Sequence, residues 1–347
     1  MVPEHLIRIG KVNVFPDDAR TPIEPIITVW EQINDFFSNY KIAARAYDIS
    51  KVAEYIVDVD ASQVIKDLRL LHEYNTTSGD KEDLFYKLYS HLKCGTTLVF
   101  RLRPVNEPAT NCRHTPRRLV DLLLQEIFIA ANLCLPASCK LYKITDLDRE
   151  DSPPPSMHCF YFEDCARFGR DEGWPKYRQI PFGDAWQWLI DCGIHDLDIA
   201  ATPVQRALFS LLEMARYEDF NIAEVLLISQ ALDGLLVKKD EQKQKNLGQR
   251  IAKIIGTPSK QQNWMKEFYN LRSTIAHGSY PILREHTPHE ESPEVAQYHR
   301  QYFVPLVRAI AALLAILQDM VLSRITEYRF EQHETILRIP LTEQQNA

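Results

Sequence analysis

The sequence predicts an α+β protein in two parts, a mixed α/β domain over residues 1–200 and an all-α helical bundle over residues 201–347. Three observations predict it. Before residue 200, β-branched and aromatic runs such as GTTLVFRLRPV (95–105) are interleaved with segments of helical apolar spacing. From residue 202 onward only the helical spacing remains. The chain of 347 residues, 45% hydrophobic and 25% charged, is also long enough to build two packed cores.

The elements follow in order. TVWEQINDFFSNY (28–40) and EDLFYKLYSHL (82–92) repeat apolar residues at helical spacing. GTTLVFRLRPV reads as a strand running up to Pro104. PRRLVDLLLQEIFIAANLCLP (116–136) opens on a first-turn proline and is apolar enough for a buried helix. CKLYKITDL (139–147), HCFYFEDC (158–165) and YRQIPF (177–182) read as short strands, and the proline-rich DREDSPPPS between the first two as a loop. GDAWQWLIDCG (183–193) reads as an amphipathic helix whose tryptophans, Trp186 and Trp188, suit a core better than a base-stacking platform.

The second part begins with TPVQRALFSLLEMARYE (202–218), whose Thr-Pro pair is a helix start signal. FNIAEVLLISQALDGLLV (220–237) is apolar on nearly every side, as a central helix should be. KKDEQKQK (238–245) is a solvated connection, and NLGQRIAKIIG (246–256) a short helix stopped by Gly256. In KQQNWMKEFYNLRSTIAHG (260–278), Trp264, Phe268, Leu271 and Ile275 form one seam. A last helix spans 294–325, with a bend expected at Pro305.

A net charge of -7 argues against a protein that coats nucleic acid by bulk charge, though it leaves room for a local basic groove. Seven scattered cysteines without a C-x-x-C pair suit reduced, buried thiols rather than disulfides or a zinc ribbon. No cofactor and no metal are expected: two loop histidines, His286 and His289, make a poor metal site. The N-terminus MVPEHLIRIG lacks the pattern of a signal peptide, and the apolar run 309–317 is too short to span a membrane. A cytoplasmic protein without a membrane partner is expected.

The segment LRSTIAHGSYP (271–281) carries the functional expectation. It places Arg272 and His277 at the end of an apolar-periodic helix, stopped by Gly278 and Pro281. Five residues advance about 500° on an ideal helix, leaving the two side chains about 140° apart. A joint site therefore requires the helix to end at the histidine, or a second chain to complete a cleft. Read alone, the pair also suits a histidine on the helix C-terminal dipole and a solvent-exposed arginine. Asp233 is a carboxylate in an apolar run, costly to bury unpaired. It either faces Arg272 across the bundle or points to water. The basic cluster RHTPRR (113–118) is either a contact for an RNA backbone or a solvated helix start.

FYNLRSTIAHGSYP resembles the signature of the HEPN superfamily, an Arg, a polar residue, three more residues and a His: here Arg272, Ser273, Thr274 to Ala276, and His277. LLISQALDGLL (226–236) and QRIAKII (249–255) resemble two further helices of the Apea-like branch, so the resemblance covers roughly residues 202 to 320. Asp233 stands where that branch usually has Glu. The resemblance implies a helical bundle that pairs with a second copy, so that two Arg-His motifs surround one cleft. It implies a metal-independent endoribonuclease of bacterial defence or growth arrest, or alternatively a catalytically silent module for nucleotide binding or dimerisation. In the first case Arg272 holds the scissile phosphate and His277 moves protons, with Asp233, Ser273 and Thr274 as auxiliaries. Arginine offers a planar fork to phosphate oxygens, and imidazole can accept or give a proton. The expected partners are RNA, a second copy of the chain, and a trigger or partner protein for the first domain.

Overall fold

The computed structural model describes residues 4–12, 16, 21–45, 52–77, 96–105, 116–149, 154–158, 160–195, 197–217, 221–237, 243–258, 263–283, 292–330 and 336–338. It is an α+β protein that divides into two compact units. The first comprises Met1–Cys159 with Arg178–Ile199, and the second Phe160–Tyr177 with Ala200–Ala347.

The first unit is built on a five-stranded sheet: β1 (His5–Gly10), β2 (Tyr40–Arg45), β3 (Val52–Asp60), β4 (Thr97–Pro104) and β5 (Thr145–Asp146). The strand order is β2-β3-β4-β1-β5, and every neighbouring pair is antiparallel. Alternation decides its faces. Tyr55, Val57 and Val59 on β3 and Leu98, Phe100 and Leu102 on β4 are buried. The opposite face carries charges, and there Arg101–Asp60 (3.1 Å) and Arg103–Asp58 (2.6 Å) pair across the strands. Among the described residues four helices belong to this unit: α1 (Glu24–Phe36), α2 (Ser62–Thr77), α3 (Pro116–Cys134) and α5 (Phe182–Asp191), with α1 against β3, α2 against β4 and α3 against β1. Trp186 and Trp188 of α5 are buried, and the Trp186 indole N–H donates to the Tyr40 hydroxyl at 3.0 Å.

Several sequence expectations need correction here. Within HCFYFEDC, Phe160 to Cys165 start a helix, α4 (Phe160–Glu172) in the second unit, because Tyr161, Phe162 and Cys165 bury one helical face. YRQIPF forms no strand: it is an irregular lead-in to α5, with Pro181 at the N-cap. CKLYKITDL contributes only the two-residue β5 and an isolated bridge from Leu141 to Met157. The helix expected at 82–92 lies outside the described residues.

The second unit holds α4, α6 (Pro203–Met214), α7 (Ala223–Leu236), α8 (Lys243–Ile255), α9 (Trp264–Ala276) and α10 (Pro293–Ser323), followed by a small hairpin, β6 (Tyr328–Phe330) and β7 (Ile336–Arg338). The start of α6 is a full capping box: the Thr202 hydroxyl accepts from Gln205 N–H while the Gln205 side chain accepts from Thr202 N–H. Gly256, at φ +78°, ends α8. Arg250 of α8 donates to the Leu236 carbonyl at 2.5 Å, meeting the negative end of α7.

The central element is α10, packed by α4, α7, α8 and α9. It is a single 31-residue helix that contains Pro305. Counting only residues 309–317 understated its apolarity. By length and composition α10 could cross a membrane, yet 83% of its most apolar window is buried, as befits a core helix.

Candidate functional site

The last turn of α9 positions the Arg-His segment. Trp264, Met265, Phe268 and Leu271 bury one face, which leaves Arg272 half-buried at its edge and Ser273 beside it. The helix ends at Ala276, with His277 as its C-cap. Gly278 follows in the left-handed region at φ +69°. Its N–H donates to the Ile275 carbonyl at 3.0 Å, and Ser279 N–H donates to the Thr274 carbonyl at 2.9 Å. These two bonds make a Schellman motif, in which a glycine lets the chain leave the helix without a Cβ clash. The first of the two conditions for a joint site is thus met: the helix stops at the histidine.

The imidazole of His277 is exposed at this corner. No hydrogen bond or ion pair joins it to Arg272. Arg272 has a more unusual environment. Its Nε is enclosed and has no hydrogen-bond partner, and no ion pair reaches the guanidinium among the described residues. A partly desolvated guanidinium with no carboxylate in ion-pair contact among the described residues is a favourable receptor for an anion.

Asp233 faces neither Arg272 nor water alone. From α7 it accepts a hydrogen bond from the Tyr269 hydroxyl of α9 at 2.5 Å. Tyr269 stands three residues before Arg272, on the adjoining part of the helix surface. Burial, then the bond to Asp233, push the Tyr269 hydroxyl up, while the Arg272 charge acts in the opposite direction. Asp233, Tyr269 and Arg272 therefore form one electrostatic group across α7 and α9. Tyr269 was missed from sequence, although an aromatic hydroxyl at i−3 from Arg272, with an acid in the neighbouring apolar helix, was a signal for it.

Of the two auxiliary hydroxyls, that of Thr274 bonds back to its own helix, at 3.0 Å to the Asn270 carbonyl and 2.8 Å to the Leu271 carbonyl. Its proton is committed there. Ser273 is half-buried, and its carbonyl accepts from His277 N–H at 3.0 Å.

Elsewhere, Arg117 of the basic cluster pairs with Asp146 and Asp121 and is mostly buried. Cys134, Cys139, Cys165 and Cys192 are free and buried, and burial pushes each thiol up. Among the described residues no three His, Cys, Asp or Glu side chains lie together as metal ligands would. His286 and His289 lie outside the described residues. No protein-family model, curated protein or solved structure matches this chain.

Proposed function

We propose that the second unit is an Apea-like HEPN bundle and that the chain is a metal-independent endoribonuclease of a bacterial defence or growth-arrest system. The observation that carries this reading is Arg272, a half-buried guanidinium with an enclosed, partnerless Nε, held at the helix end that presents His277 to solvent. The chemistry open to these groups is transfer of a phosphate to the neighbouring ribose hydroxyl. The 2′-oxygen forms a bond to phosphorus as the bond to the 5′-oxygen breaks. A base takes the 2′ proton, and an acid supplies one to the departing oxygen. His277 fits either proton role, and Arg272 offsets the charge that builds on the phosphate oxygens. Asp233 and Tyr269 fix the α7 and α9 faces beside Arg272 and act as positioning residues.

Two copies would bring two such corners to one cleft and supply acid and base together. Light scattering on the purified chain should then report about twice 40.3 kDa. A monomer that still cleaves RNA would sink the shared cleft. Expression should arrest growth and fragment cellular RNA, with His277→Ala and Arg272→Ala silent. Arg272→Lys should rescue poorly, since an ammonium lacks the planar fork. A second reading, a silent nucleotide-binding or dimerisation module, draws on the fact that the His277 side chain has no orienting partner among the described residues. Equal toxicity of all four proteins would favour it. On either reading the first unit is proposed to receive the trigger or partner.

A further inference from the structure

On the other side of α9 from Arg272 lies a groove of about 690 Å³ between α9, the turn that follows it, and α10. Two residues along a helix turn the side chain by about 200°, so Thr274 lines this groove while Arg272 does not. Its volume is that of a small-molecule site. The floor is apolar: Leu271, Val304, Pro305 and Pro281.

Polar groups line the groove beside that floor. The Tyr280 hydroxyl is enclosed and makes no hydrogen bond of good geometry, with the Tyr298 phenol as its electrostatic neighbour. Pro305 has no N–H, so the Gln301 carbonyl loses its regular helical donor, and both residues line the groove. Asn270 and Gln301, both solvent-exposed, also line it. A buried or half-buried polar group left unmade is costly, and a ligand that satisfies it recovers that cost.

The charge in the groove is small and specific. Arg308 is already neutralised, with Glu172 at 3.6 Å and Glu267 at 3.5 Å, and it also lies over the Phe168 ring. Arg300 spends its Nε on the Ala296 carbonyl at 3.3 Å and has no acidic partner among the described residues. A cation with no acidic partner among the described residues, beside Glu267, suits a singly charged anion better than a doubly charged phosphate, which Glu267 would repel.

We propose that this groove binds an amphipathic monocarboxylate that carries an amide, the chemistry shared by an N-acyl amino acid and the free C-terminal end of a peptide. The apolar side chain rests on Leu271, Val304 and Pro305. The amide N–H donates to the Gln301 carbonyl, the amide oxygen accepts from the Tyr280 hydroxyl, and the carboxylate meets Arg300. The site is separate from Arg272 and His277 and stands whether or not the chain cleaves RNA.

The test uses the full-length protein, calorimetry and ligand-detected NMR, with N-octanoyl-leucine, its carboxamide, octyl phosphate, and a short peptide ending in leucine with a free or amidated C-terminus. Saturable binding of the carboxylates is expected, weakened about tenfold or more in the carboxamides and in Arg300→Ala. Tyr280→Phe should weaken it severalfold. Arg300 is exposed, so its removal should leave the thermal transition in place. Preference for the acyl amino acid or for the peptide tells which source the site serves. Equal binding of acid and carboxamide, tighter binding of octyl phosphate, or no saturable binding of any probe would overturn the proposal.

Discussion

Glu224 stands at the start of α7 with none of its surface exposed. Its Oε2 accepts from the hydroxyls of Tyr161 at 2.5 Å and Tyr302 at 2.9 Å and from Asn221 N–H at 3.3 Å, whereas Oε1 is enclosed without a partner among the described residues. Burial wins over those three bonds and pushes the carboxyl from 4.5 up to about 7. The folded chain therefore prefers the neutral acid. The stability this supplies is complete below about pH 4.5 and is lost as the pH rises through about 7. Its size is about 3 kcal/mol, at about 1.4 kcal/mol for each tenfold change in the acid constant. Glu224→Gln holds the group neutral at every pH. The new amide NH2 would replace a partnerless oxygen and cost about 1–3 kcal/mol, so absolute stability is a poor readout. The pH slope is a good one. In melts followed by circular dichroism from about pH 5 to about pH 8.5, the wild type should lose roughly 6–12 °C more than the variant, at about 2–4 °C per kcal/mol. Parallel curves for the two proteins would refute the reasoning.

Gly278→Ala should destabilise the second unit by about 1–2 kcal/mol in denaturant, because a side chain at φ +69° is strained even though a Cβ there meets nothing; an unchanged midpoint would contradict the Schellman stop. Tyr269→Phe should cost about 1–3 kcal/mol by leaving the half-buried Asp233 carboxylate short of a donor. In a double-mutant cycle with Asp233→Asn the two losses should not add, and strict additivity would show that the pair does not act together.

Much of the helical unit was legible in sequence. The Thr-Pro start of α6, the α9 seam through Trp264, Phe268 and Leu271 (Ile275, expected in it, is only half-buried), and the Gly256 and Gly278 stops are local signals, and local physics fixed them. The sheet was harder. β4 was readable because FRLRP follows a β-branched run, but β1, β2 and β3 were passed over, although EYIVDVD alternates plainly. Their pairing is made between distant segments and has no local period beyond two. The aromatic run at 160–165 misled because its helical period shows only when the segment is read on through Phe168. At the candidate site, Arg272 and His277 stood out from spacing and resemblance. The Asp233–Tyr269 bond did not, because it depends on how α7 and α9 pack, which sequence spacing within one helix cannot encode.

Cleavage of a defined RNA by the purified chain in EDTA tests the central proposal most directly, with product ends read by mass spectrometry. The account predicts 2′,3′-cyclic phosphate and 5′-hydroxyl ends, no effect of the chelator, loss of cleavage with Arg272→Ala or His277→Ala, and no cleavage where the cut position carries 2′-deoxyribose. Cleavage of the deoxy substrate, or activity abolished by EDTA and restored by magnesium, would contradict it.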